Sequence, residues 1–248
     1  MGSSSDLQLR AIAVHHRLCA EYGCPIPYFH RLDPLSELVS SLLSHRTKNR
    51  DSGRAFKQLV AQFPTWEAVR DAPTELVEQA IAPCTWPEQK APRIQQVLRL
   101  VGELTNGEWS LDFLKDMPVT EARAWLEALP GVGPKTSAAV LCFSELRGRA
   151  LPVDSHHHRV AQRLGLIPKA MAVGPSHVAL EGFLPDEWDA QQVYDHHEVM
   201  MLHGQRCCFY NNPSCDRCVV LDLCPCGQER REKNEELRTK NEKGLSTG

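Results

Sequence analysis

Leu129-Pro130-Gly131-Val132-Gly133-Pro134-Lys135-Thr136-Ser137-Ala138-Ala139-Val140-Leu141 is the stretch whose reading decides the fold. A helix must stop at Pro130, the glycines can turn the chain through backbone angles that most residues avoid, and Pro134 suits the first position of a new helix. The stretch predicts a helix-hairpin-helix. The first N–H groups of the second helix have no intrahelical acceptor, Gly131 and Gly133 leave room for a phosphate, and Lys135 stands on the first turn. Such a hairpin can hold a DNA backbone while offering an amine.

Outward from the hairpin, the apolar spacing is helical in both directions. Upstream, Ala11, Val14 and Leu18 predict a helix from Leu7 to about Gly23, ended by Cys24-Pro25-Ile26-Pro27. Asp33 reads as an N-cap with Pro34 at the first helical position, followed by the apolar face Leu35, Leu38, Val39, Leu42 and Leu43. Further helices are predicted through Phe56–Phe63, Thr65–Asp71, Pro73–Ile81 and Lys90–Leu104, and from Thr120 to the hairpin. Downstream, helices are expected from Asp154 to Leu164, from Pro175, and from Glu187 to Leu202. No stretch reads as a strand, so the fold class is all-α. Residues 228–248 are highly charged and nearly free of apolar side chains, which predicts a disordered tail. The opening Met-Gly-Ser-Ser-Ser is set apart from the predicted fold.

The chain has 248 residues, of which 42% are apolar, enough for a core without staples. No apolar run approaches the ~20 residues of a membrane span and no signal-peptide pattern opens the chain, so an intracellular protein with no membrane partner is expected. A net charge of −3 gives no overall attraction to nucleic acid, so DNA binding must come from a local basic face and oriented backbone dipoles.

Two features carry chemistry. Lys135 is by itself a solvated charge or a phosphate contact as readily as a nucleophile. Leu151-Pro-Val-Asp154-Ser-His156-His157-His158-Arg159-Val160 brings a carboxylate to the start of the next helix, where an aspartate also serves as an ordinary cap. Separately, Cys208, Cys215, Cys218 and Cys224 have the spacing C-x6-C-x2-C-x5-C, and four thiolates suit either tetrahedral zinc or an iron-sulfur cluster. Cys207 and Cys226 read as spectators.

Taken together, Leu129-Pro-Gly-Val-Gly-x-Lys135-Thr and Val153-Asp154-Ser-His156-x-x-Arg159-Val resemble the endonuclease III family of helix-hairpin-helix base-excision glycosylases. The resemblance runs from about Leu7 to Cys224 and takes in Asp33-Pro34, Leu42-Leu43-Ser44 and Leu202-His203-Gly204. It implies that Lys135 attacks the sugar C1′ of a damaged nucleotide, displaces the base as a Schiff base forms, and nicks the strand by β-elimination. Asp154 is then the carboxylate that helps deprotonate the lysine and steadies charge on the sugar. The four cysteines are implied to hold a [4Fe-4S] cluster.

The partner implied is double-stranded DNA containing damaged bases or abasic sites, bound by a monomer. Contacts are expected from Gly131, Gly133, Lys48, His156 and Arg159. Arg46 stands where the family commonly has a glutamine that fills the gap left by the flipped nucleotide, and Trp86 where it has a leucine wedge. A solvated helix-end cation and a core tryptophan are the bland readings of these two. The cluster loop Phe209-Tyr-Asn-Asn-Pro-Ser214 lacks the basic residues usual in the family. The expected architecture is a six-helix barrel over 35–147, a discontinuous cluster domain over 6–34 and 148–227, and DNA between them, with Lys135 and Asp154 on opposite walls. Base removal with lyase action on oxidised pyrimidines is the activity implied. A glycosylase of other lesion specificity, a non-catalytic damage binder and an electron carrier are the rivals.

Overall fold

In this computed structural model the described residues are 3–245, with side chains described to 236. Among them every regular element is helical. The chain divides into two compact units, Tyr28–Pro152 and Met1–Pro27 with Val153–Gly248.

The continuous unit begins with α2 (Pro34–Ser44), α1 belonging to the other unit. Asp33 caps α2 through a 2.9 Å bond from the Ser36 N–H, and Pro34 opens the helix. Its apolar residues Leu35, Leu38, Val39, Leu42 and Leu43 are all buried, so α2 is the central element, packed against α3 (Asn49–Gln62), α6 (Pro87–Leu104) and α8 (Pro134–Phe143). From α6 come Ile94, Val97, Leu98 and Val101, and from α8 Ala138, Val140 and Leu141, in one core. Two short helices, α4 (Trp66–Asp71) and α5 (Thr74–Ala80), are joined through buried Gln95. Its amide donates to the Val69 and Ala72 carbonyls and accepts from the Thr74 hydroxyl, satisfying helix-end groups that have no intrahelical partner. A one-turn helix at Asp112–Asp116 precedes α7 (Val119–Glu127).

The discontinuous unit holds α1 (Ser4–Tyr22), α9 (Ser155–Arg163), α10 (Val173–Glu181), α11 (Ala190–Arg206) and α12 (Pro225–Leu245), with α11 packed on both α1 and α9. Gly204 of α11 permits the second contact, since a Cβ there would lie 2.8 Å from the His156 Cβ. Asp189 and Gln192 form a capping box that starts α11 slightly later than the sequence predicts.

Three expectations change. Ser3 caps α1 in a reciprocal box with Asp6, so part of the opening segment belongs to the folded protein. Cys19 and Cys24 form a disulfide, which nothing in their surroundings announced. The tail expected to be disordered is helical as far as Leu245, because Glu, Lys, Arg and Gln are good helix formers and need no buried face; Arg231 and Glu235 pair at 3.0 Å one turn apart. No helix among the described residues is long and apolar enough to cross a membrane.

Candidate functional site

The hairpin joins α7 to α8. Leu129 and Val132 are buried beneath it, the Val132 N–H bonds the Leu129 carbonyl at 3.1 Å, and Ser137 donates to Glu127 at 2.7 Å across the two helices. Gly131 sits at φ +81°, which L side chains rarely adopt, and an added Cβ would meet the Arg93 side chain at 3.2 Å. Gly133 is the N-cap of α8 in extended backbone, and a Cβ there would meet nothing within 4 Å. The approach to the first turn of α8 is therefore open. Lys135 stands on that turn, half-buried.

His45, just beyond α2, reaches the hairpin through a 2.9 Å bond between its Nε2 and the Thr136 hydroxyl. Burial first, then the nearby Lys135 and Lys90, holds its imidazole below the ordinary range. Lys90 gives its three protons to the Leu43 carbonyl at 2.6 Å, the His45 carbonyl at 2.8 Å and the Thr47 hydroxyl at 2.8 Å, closing the C-terminus of α2. The Thr85 N–H also bonds the Thr47 hydroxyl, at 3.1 Å. Two loops are thereby tied together, and each carries one expected wedge residue. Arg46 has φ +51° and Trp86 φ +54°, so both are held in the left-handed region, both are exposed, and Trp86 at 48% exposure is not a core tryptophan. Lys48, the N-cap of α3, is exposed as well.

In the other unit Asp154 caps α9, accepting from the His157 N–H at 2.7 Å. The preceding residue is fixed by His177 of α10, whose Nε2 accepts from the Val153 N–H at 3.1 Å. Glu198, buried on α11, feels Asp154: burial, then Asp154 and Asp195, pushes its carboxyl up to about 7. Sequence reasoning missed Lys90, His177 and Glu198. The one signal for Glu198 was a polar run, His196-His197-Glu198, on a helix that had to be buried.

The guanidinium of Arg159, a residue expected on phosphate, donates to the Gly204 carbonyl at 2.8 Å and the Cys208 carbonyl at 3.1 Å, closing the end of α11. It also bonds the His156 Nδ1 at 3.2 Å, so His156 is half-buried and engaged within the unit. His157 is fully buried against His196 and His197.

Beyond α11 a cavity of about 30 Å³ is lined by Cys207, Cys208, Cys215, Cys218, Cys224 and Cys226, with Val160, Leu164, Val220 and Leu221 among its walls. All six thiols are free. Donors are aimed at sulfur: Arg163 at Cys208 at 3.1 Å and the Gly227 N–H at Cys224 at 3.3 Å. Burial first pushes the Cys218 and Cys224 thiols up to about 12, so thiolates here call for a compensating cation. Soft donors, aliphatic walls and N–H groups aimed at sulfur fit a thiolate-bound metal or iron-sulfur centre. The Cys207 sulfur, that of Cys218 and a ring nitrogen of His203 lie within 4.8 Å of one another, and His203 in turn bonds Tyr22 at 3.2 Å.

With this geometry in place, relatives can be compared. A candidate DNA glycosylase of Arabidopsis thaliana is 36% identical over 174 residues, which are 70% of this chain and 57% of that protein. Endonuclease III of Thermotoga maritima is 30% identical over 212 residues, covering 85% of this chain and 91% of the relative. In fold, a solved non-covalent endonuclease III–DNA complex superposes with a TM-score of 0.76 at 24% identity, covering 94% of this chain and all of that one. Residues 39–179, from α2 through the hairpin and Asp154 into α10, match the family model, and the chain belongs to the HhH-GPD superfamily of base excision DNA repair proteins.

Proposed function

We propose that the protein is a bifunctional DNA glycosylase and abasic-site lyase that removes oxidised pyrimidines from duplex DNA, working inside the cell as a monomer. The observation that carries this reading is Lys135 on the first turn of α8, behind an N-cap whose Gly133 presents no side chain. A phosphate can dock on the first-turn N–H groups while the amine reaches the neighbouring sugar.

The target nucleotide leaves the stack at a cost of ~a few kcal/mol, least where pairing is already damaged. Arg46 and Trp86, on loops joined by Lys90 and Thr47, suit the vacated space. Neutral Lys135 Nζ attacks C1′, the bond from C1′ to the base breaks, and the base leaves with a proton. The sugar ring opens to a Schiff base, a C2′ proton is removed, and the 3′ phosphate departs by β-elimination. Water then releases the amine. Asp154 takes the lysine proton and balances positive charge on the sugar. Its cap bond through one oxygen leaves the other available.

Cys208, Cys215, Cys218 and Cys224 would hold a [4Fe-4S] cluster, which ties the segment after α11 together and supplies a redox centre when bound. The close grouping of His203, Cys207 and Cys218 favours a second reading, a single ion such as zinc. Iron, sulfide and zinc content of the purified protein separates the two.

Borohydride trapping on a duplex carrying an oxidised pyrimidine tests the reaction. A covalent adduct is expected with the unaltered chain and none with Lys135→Ala. No adduct with the unaltered chain, or an undiminished one with the variant, ends the proposal.

A further inference from the structure

We infer that the outer face of α3 is a phosphodiester-binding surface that grips duplex DNA to one side of the flipped nucleotide. The inference rests on the DNA-glycosylase reading above. In a chain of net charge −3, residues 46–57 hold five cations, Arg46, Lys48, Arg50, Arg54 and Lys57, against one acid, Asp51. The three cations on α3 fall at i, i+4 and i+7, on one face, opposite the core-facing Ser52, Ala55 and Leu59. All three are exposed and line a shallow concavity with Asn49, Gly53 and Gln58. Gly53, at its centre, has nothing within 4 Å of an added Cβ, so the floor of the concavity is bare backbone.

Internal pairing does not account for these charges. Arg54 reaches Asp51 only at 3.5 Å, and Arg50 and Lys57 have no ion-pair partner among the described residues. From Arg50 to Lys57 the face spans about 10 Å of helix axis. That matches about three phosphates of one strand at ~3.4 Å each. The face also continues directly from the exposed Arg46 and Lys48 that precede the helix. A solvated helix face needs no such one-sided charge, whereas a polyanion does.

There is also a deficit to fill. The segment Phe209–Ser214 between the first two cluster cysteines has no basic residue, and nearby Arg163 is committed to the Phe209 and Tyr210 carbonyls at 2.7 Å each. The DNA backbone must be held from elsewhere, and α3 presents a cluster of exposed cations on one face.

The test is the salt dependence of binding to a short duplex holding a tetrahydrofuran abasic analogue. For the triple variant Arg50→Ala, Arg54→Ala, Lys57→Ala, the slope of log K against log salt should fall by about 2 to 3 in magnitude, near 0.9 for each phosphate that is no longer neutralised. Lys115→Ala, exposed on a different element, should leave the slope unchanged. Single-turnover base release from a duplex carrying an oxidised pyrimidine should match the unaltered chain in Lys115→Ala. An unchanged slope in the triple variant overturns the inference while leaving the glycosylase reading intact, and so does an equal decrease per charge in the Lys115 variant. An unaltered chain that neither binds this duplex nor releases a base overturns both.

Discussion

Asp154 is a residue whose two roles can be separated. It caps α9 and, in the proposed reaction, takes the lysine proton. Asn caps a helix about as well as Asp, so Asp154→Asn should leave thermal stability nearly unchanged while slowing single-turnover base release by orders of magnitude. Asp154→Ala should lose both rate and about 1 kcal/mol of stability. Comparing unfolding midpoints with rates for the two variants checks this. The buried titratable residues of the same unit add a pH signature. Burial lowers His15 to about 4 and His196 to about 3 and holds His157 well below its ordinary value, so the folded state refuses protons that the unfolded chain accepts near 6.5. Stability should therefore fall as pH drops from about 6.5 toward 4, by on the order of 1 kcal/mol per pH unit for each such group, in urea titrations. Glu198 acts in the opposite sense. With its folded carboxyl near 7 against 4.5 unfolded, its contribution is present at low pH and lost as pH rises through 7. Relative to the unaltered chain, Glu198→Gln should gain stability between pH 4.5 and 8, on the order of 2 kcal/mol. No change in that difference across the range would falsify the buried-carboxylate reading.

At the scale of elements, the two hairpin glycines do different work. Gly131→Ala forces a side chain into a left-handed backbone against Arg93 and should cost about 1–2 kcal/mol. Gly133→Ala meets open space and should fold normally, yet weaken binding to an abasic duplex because its methyl stands where a phosphate would approach. The pair is read by thermal melts beside binding isotherms. Lys90→Met leaves the Leu43 and His45 carbonyls without their donor and should cost about 1–3 kcal/mol. Faster hydrogen exchange at the Thr85 amide is the expected local sign, since the hydroxyl it bonds is held by that same lysine. Helix starts of this kind were readable in the chain because their signals are local: Asp33-Pro34 caps and opens α2, and Asp154 caps α9. Lys90 and His177 were not readable, because their partners, Leu43 and Val153, lie 47 and 24 residues away. The bonds of Arg159 were unreadable for the same reason, since a guanidinium looks free in sequence until the end of α11 is folded against it. The tail was misread differently: composition measured its inability to form a core, which is no bar to an exposed helix.

For the molecule as a whole, the chain starts one unit, leaves it after Pro27, builds all of Tyr28–Pro152, and returns at Val153. The hairpin with Lys135 belongs to the uninterrupted unit, whereas Asp154, Glu198 and the cysteines belong to the divided one. On a ribosome these cannot mature together. Domains fold as units as they emerge, at roughly 5–20 residues added per second. The uninterrupted unit can thus close while the cysteine segment is still unmade, and α1 must wait, its apolar face uncovered, for α11 to be translated. The nascent chain therefore passes through an interval of seconds in which the hairpin is built while α11, on which α9 and its cap Asp154 pack, is still unmade.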